Sequence, residues 1–132
     1  MSASLGEREL DVMAALWRDG PGTVQEVRDR LPAPLAYNTV LTILRNLEAK
    51  GFVGHEAEGR LFRYFPAVEE RAVRGSAISR IVDKLFRGSP LDVVAHMVED
   101  ESLSRDELRE LHRLIDERLS APDDTPKKGR RP

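Results

Sequence analysis

The stretch Tyr37–Pro66, YNTVLTILRNLEAKGFVGHEAEGRLFRYFP, decides the fold. Val40, Ile43, Leu44 and Leu47 fall at i, i+3, i+4 and i+7, so they share one face of a helix. A turn of about 100° per residue puts Asn38, Thr42, Arg45 and Ala49 on the opposite face, with Asn46 beside them. An ordinary solvated face would more often carry several Glu and Lys. Asn, Thr and Arg are side chains that read base edges: Asn on adenine, Arg on guanine, the Thr methyl on the thymine methyl. Gly51 after Lys50 reads as the helix stop. Phe52 and Val53 begin a strand, and Glu58-Gly59 reads as its tight turn, because glycine accepts the positive φ of a hairpin. Leu61 to Phe65 return, and Pro66 ends the strand. A reading helix followed by a hairpin is the order of a winged helix.

Arg60 falls at the hairpin tip, where a guanidinium can reach a phosphate or a minor groove. Taken alone it is a plain surface charge beside Glu56 and Glu58; after this helix, DNA contact is the better reading. Tyr37, Asn38 and Thr39 stand where the helix begins. A tyrosine hydroxyl there can donate to a phosphate, and the free N–H groups of a first turn favour an anion. Asn38 is equally suited to capping the helix, and one residue can serve both purposes.

The chain upstream completes the module. Ser4-Leu5-Gly6-Glu7 is a capping-box pattern that opens a helix with Leu10, Met13, Leu16 and Trp17 on one side. Trp17 is a core residue by its place in that stripe. Asp19-Gly20-Pro21-Gly22 stops the helix, and Thr23-Val24-Gln25-Glu26 opens a short one to about Arg30. Pro32 and Pro34 break the chain before the reading helix. Short helix, turn and longer helix make a helix-turn-helix.

A chain of 132 residues is one domain or two small ones. With 40% hydrophobic and 33% charged residues it can build a core and remain soluble. No apolar run approaches the roughly 18 residues of a membrane span, and the N-terminus lacks a signal-peptide pattern, so no membrane insertion is expected. The absence of cysteine excludes disulfides and thiolate metal sites, and a reducing cytoplasm is the natural setting. Net charge is −2. Residues 1–67 hold eight Lys or Arg against nine Asp or Glu, residues 68–120 nine against twelve, and residues 121–132 four against two. No segment is strongly basic, so specific binding must rest on base contacts, backbone N–H groups and two copies acting together.

Residues 68–120 read as a helical dimerisation region. Ile78, Ile81, Val82 and Leu85 stripe a helix from about Glu69 to Phe86. Gly88-Ser89-Pro90 interrupts it, and Leu91, Val94, Met97 and Val98 form a short amphipathic helix. Ser104-Arg105-Asp106-Glu107 caps a last helix carrying Leu108, Leu111, Ile115 and Leu119. Three such helices in some fifty residues are thin to fold alone, and a second copy would cover their apolar faces. The bland alternative folds them back onto the first module. The tail 121–132, rich in Pro, Asp, Lys and Arg, reads as disordered. Its Lys127, Lys128, Arg130 and Arg131 suit either loose phosphate contact or simple solubility.

The motifs LDVMAALWRDGPGTVQEV, YNTVLTILRNLEAKGFV and EGRLFRYFP, in that order, resemble the penicillinase-repressor (BlaI/MecI) family over residues 5 to about 119. The resemblance implies a mostly α protein: a winged helix-turn-helix at 1–67, then a helical dimerisation region. It implies a dimeric repressor on a palindromic operator, in some members controlling β-lactam-responsive genes and relieved by a sensor-linked protease. Matching the turn Leu85-Phe86-Arg87-Gly88 puts the family's cleavage position at His96-Met97. The best-known members carry Asn-Phe there, so this chain departs from the pattern. A copper-responsive branch uses C-terminal cysteines, which this chain lacks.

Other chemistries find little support. His55, His96 and His112 have no ligand spacing, so neither a metal nor another cofactor is expected. No nucleophile elbow and no phosphate-cradling glycine loop occur, and the carboxylates sit beside arginines on helix faces. The expected function is a sequence-specific repressor that binds double-stranded DNA as a homodimer. The rivals are a winged-helix module that docks proteins and a metal sensor built on the histidines.

Overall fold

Caps and glycines set the bounds of the elements in a computed structural model of the chain, which describes residues 5–122. In order these are α1 (Glu7–Asp19), α2 (Val24–Arg30), α3 (Tyr37–Ala49), β1 (Val53–Glu58), β2 (Leu61–Pro66), α4 (Glu70–Leu85), α5 (Pro90–Glu99) and α6 (Arg105–Ser120). The described chain is mostly α, with one two-stranded antiparallel sheet. It divides into two compact units, one up to Ile81 and one from Val82.

Helix α1 starts two residues later than the Ser4 pattern implies. Its N-cap is Gly6, whose N–H donates to Glu9 Oε1 at 3.0 Å; Ser4 lies outside the described residues. The side chain three residues into the helix completes the turn whatever residue stands at the cap. Gly20 ends α1 at φ 89°. Thr23 and Glu26 form the expected reciprocal cap of α2: Thr23 Oγ1 accepts from Glu26 N at 3.2 Å, and Glu26 Oε1 accepts from Thr23 N at 3.0 Å.

Helix α3 is capped by Ala36, which offers no side-chain bond, so Asn38 sits inside the first turn and is not the cap. Its end is a paired closure: Phe52 N–H donates to the Leu47 carbonyl and Gly51 N–H to that of Glu48, with Gly51 at φ 88°. Phe52 therefore terminates the helix, and the strand begins at Val53. The hairpin turn is Gly59-Arg60, one residue later than expected, because Glu58 still pairs with Leu61. Gly54 faces Phe65 across the ladder, and a Cβ there would lie 2.7 Å from the Phe65 ring.

The first unit closes around a continuous core. Met13 and Leu16 of α1, Val27 of α2, Val40, Leu44 and Leu47 of α3, and Val53 and Tyr64 of the wing are all buried. Removing a side chain such as Leu44 from water stabilises the fold by about 1.5–3 kcal/mol. Leu10 departs from the expected stripe: it is 40% exposed. Trp17 packs against the core, and its Nε1 donates to the Val68 carbonyl at 3.0 Å. Tyr64 is tied through its backbone to Gly22, which fixes the wing beside the start of α2. The first unit runs on past residue 67 because Val68 and Val73 pack against the same core.

In the second unit, Ser89 Oγ accepts from Asp92 N and Pro90 takes the first turn of α5. Ser104 and Glu107 cap α6 reciprocally. Neither α5 nor α6 buries a residue. Leu85, Leu91, Val94, Met97, Val98, Leu108, Leu114, Ile115 and Leu119 are all exposed large apolar side chains. Leu111 is half-buried. Val82 differs from its neighbours: it is buried within its own chain, so it supports the interior and is not part of the open face. The tail cations Lys127, Lys128, Arg130 and Arg131 lie outside the described residues.

Candidate nucleic-acid interface

Burial of the apolar face of α3 leaves its other face in water. Tyr37, Asn38, Thr42, Arg45 and Asn46 are exposed, Thr39 is half-buried, and Arg60 is exposed at the wing tip. Tyr37, Leu41 and Arg45 of α3 face Arg60, Leu61, Phe62 and Tyr64 of the wing across a cleft of about 140 Å³, with Thr23 and Val24 of α2 at one side. Three of the seven residues singled out in the sequence thus surround one opening. Asn38, Thr39 and Thr42 line a shallow concavity on α3 with Arg8 of α1. Asn46 lines neither.

Arg45 is held from below. The Arg45 side chain lies beside the Tyr64 hydroxyl. Burial raises the Tyr64 pKa, aided by the Glu48 charge, while Arg45 pulls the other way. The phenol is accordingly neutral at ordinary pH and can accept a bond from the guanidinium. On the same side of the wing, Glu48 of α3 accepts from or pairs with His55 Nδ1 at 2.8 Å, and the His55 ring lies 4.5 Å from that of Phe62. These contacts fasten the last turns of α3 to the wing.

Six arginines of the first unit fall into two groups. Arg30 donates to the carbonyls of Gly20 at 2.6 Å and Pro21 at 3.2 Å, closing the end of α1. Arg28 donates to the Leu35 carbonyl at 2.7 Å and so fixes the approach to α3. Arg63 bridges Glu58, Glu26 and the Pro21 carbonyl. The bond to Glu58 raises the Arg63 pKa, and the Thr23 backbone N–H, with Arg63 assisting, lowers that of Glu26. These three arginines organise the scaffold. Arg8, Arg45 and Arg60 are left on the outer surface near α3, which is how a unit whose charges balance still presents positive charge there.

Sequence reasoning missed Arg8 and Tyr64. Arg8 lies on a different helix and no local pattern links it to α3. Tyr64 follows the alternation of a strand and reads only as a core aromatic. Among the described residues no group of three or more His, Asp or Glu side chains is placed to hold a metal ion. His96 pairs with Asp100 and His112 with Asp116, each one helical turn away. No helix among the described residues is long and apolar enough to cross a membrane.

Comparison with known proteins identifies the family of the chain. The family model described as Penicillinase repressor matches residues 5–117. The transcriptional regulator BlaI of Mycobacterium tuberculosis is 34% identical over 117 residues, covering 86% of this chain and 83% of that one. The penicillinase repressor of Bacillus licheniformis is 27% identical over 115 residues, covering 86% and 90%. Among solved structures, a MarR mutant from E. coli is 16% identical and superposes with a TM-score of 0.52 over 88% of this chain and 79% of its own, a likeness of fold alone. The relatives are named as repressors and regulators, not enzymes. The chain belongs to the penicillinase repressor family and is a DNA-binding transcriptional repressor built on a winged helix.

Proposed function

We propose that the protein represses transcription as a homodimer on a palindromic operator, each copy laying α3 in a major groove. The observation that carries this reading is the open outer face of α3, with Tyr37, Arg45 and Arg60 gathered around the cleft between helix and wing. Arg45 and Asn38 would read base edges, Thr42 would meet a thymine methyl, and Asn46 would approach the groove edge. Tyr37, Thr39, Arg8 and Arg60 would hold phosphates and so fix the register of the helix. Residues 68–120 would pair two copies through the exposed apolar faces of α4, α5 and α6, chiefly Ile78, Ile81, Leu85, Val94, Met97, Leu108, Leu111 and Ile115. Such a protein works beside DNA in the cytoplasm.

The test is selection of bound fragments from random genomic DNA, followed by footprinting. The reading expects two protected half-sites on one face of the duplex, their centres one helical repeat of about 10 bp apart or a multiple of it. Equal retention of all fragments would favour a protein-docking winged helix instead.

The family names of the relatives, which include methicillin resistance regulators, favour control of β-lactam-responsive genes. Relief by proteolysis at His96-Met97 is a second reading, favoured by one observation. Helix α5 buries no residue, so unwinding it to fit a protease costs little packing. Mapping the first site cut in the full chain by a non-specific protease tests it. Initial cutting within α5 supports the reading, and initial cutting elsewhere in the described chain opposes it.

A further inference from the structure

Behind the reading surface, the first unit contains a cavity of about 230 Å³ that the DNA-binding role does not use. Leu5 and Leu10 form one wall, Phe52 and Val68 the floor, and Ala72, Val73, Ser76, Ala77 and Arg80 of α4 the opposite wall. Residues 72, 76 and 80, with 73 and 77, fall at helical spacing, so α4 turns one face to this space. Well-packed interiors hold few voids much larger than a water molecule, and apolar ones stay dry. Here a pocket open on one side adjoins the core, and Leu10 stands 40% exposed at its edge.

The charge at the mouth selects the occupant. Among the described residues Arg80 is the sole ionic side chain of the lining, and no carboxylate among them lines the cavity. Among the described residues Arg80 also has no ion-pair partner. An apolar body fits the walls, and an anionic head meets the guanidinium. We propose that this cavity binds a small amphipathic carboxylate, its hydrocarbon part against Leu10, Phe52 and Val73 and its carboxylate on Arg80. The site bears on the reading surface through Phe52, whose N–H donates to the Leu47 carbonyl at the end of α3 at 2.9 Å.

Titration of the full-length protein with octanoate, octylamine and octanol tests the site, because the three probes share a body and differ in head charge. Calorimetry and amide chemical shifts give the readouts. Octanoate should bind saturably, several-fold tighter than either control, with shifts concentrated at Phe52, Val73 and Ala77. Arg80→Glu, at an exposed position that does not threaten folding, should reverse the order of octanoate and octylamine. Ala77→Leu should fill the space and abolish binding at an unchanged circular-dichroism spectrum. The proposal is overturned if octanol matches octanoate, if Arg80→Glu leaves the order as it was, or if the shifts lie on α5 and α6. It is overturned too if the cavity residues shift with protein concentration alone, which would make a second copy the occupant.

Discussion

The two halves of this molecule carry equally regular apolar stripes and meet opposite fates. In the first, Val40, Leu44 and Leu47 of α3 are fully covered by α1, α2 and the wing. In the second, α6 has the same spacing in Leu108, Leu111, Ile115 and Leu119, yet buries none of them. Periodicity says which side of a helix is apolar; it does not say what covers it. A stripe with a partner in its own chain makes a domain, and a stripe without one asks for a second chain.

That contrast can be broken at its strongest point first. Leu44→Ala should destabilise the first unit by about 2–5 kcal/mol, since the buried side chain leaves a cavity. The melting curve of this variant should shift equally at all protein concentrations. Leu111→Glu combined with Ile115→Glu should act differently. It should yield monomers by sedimentation, keep the first unit folded, and lower operator affinity by about a hundredfold, equivalent to about 2.8 kcal/mol. If the double variant remains dimeric, the apolar face of α6 is not the interface.

A smaller effect separates the reading helix from its support. Tyr64→Phe removes the hydroxyl beneath Arg45 and should cost about 0.5–1.5 kcal/mol of operator affinity, the usual worth of one hydrogen bond. Binding to random duplex should stay as it was. An equal loss on both duplexes would mean that Tyr64 acts only through the stability of the core. Arg60→Ala should have the mildest consequence, lowering the slope of log K against log salt by about 1 on any sequence. An unchanged slope would take the wing tip off the phosphates.

Much of this is legible in the sequence. The α3 stripe, the Thr23–Glu26 and Ser104–Glu107 caps and the Gly51 stop all depend on residues within seven positions of one another, and local physics settles them. The misses have a common cause. Gly6 caps α1, and the hairpin turns at Gly59-Arg60, because ends are chosen among several adequate residues a step apart. Leu10 belongs to the apolar stripe of α1, but its exposure depends on how far α4 stands away, which no local pattern encodes. The convergence of Arg8 with Asn38 and Thr42, and of Tyr64 with Arg45, is likewise a product of packing between distant segments.

The central claim is that Arg45 and its neighbours on α3 recognise sequence and do more than attach to DNA. The direct measurement is the affinity of the wild type and Arg45→Ala for the selected operator and for a random duplex of equal length, at one salt concentration. The account predicts a loss of about 1–3 kcal/mol on the operator, relaxed preference at one base pair in each half-site, and little change on the random duplex. Equal losses on the two duplexes would contradict it.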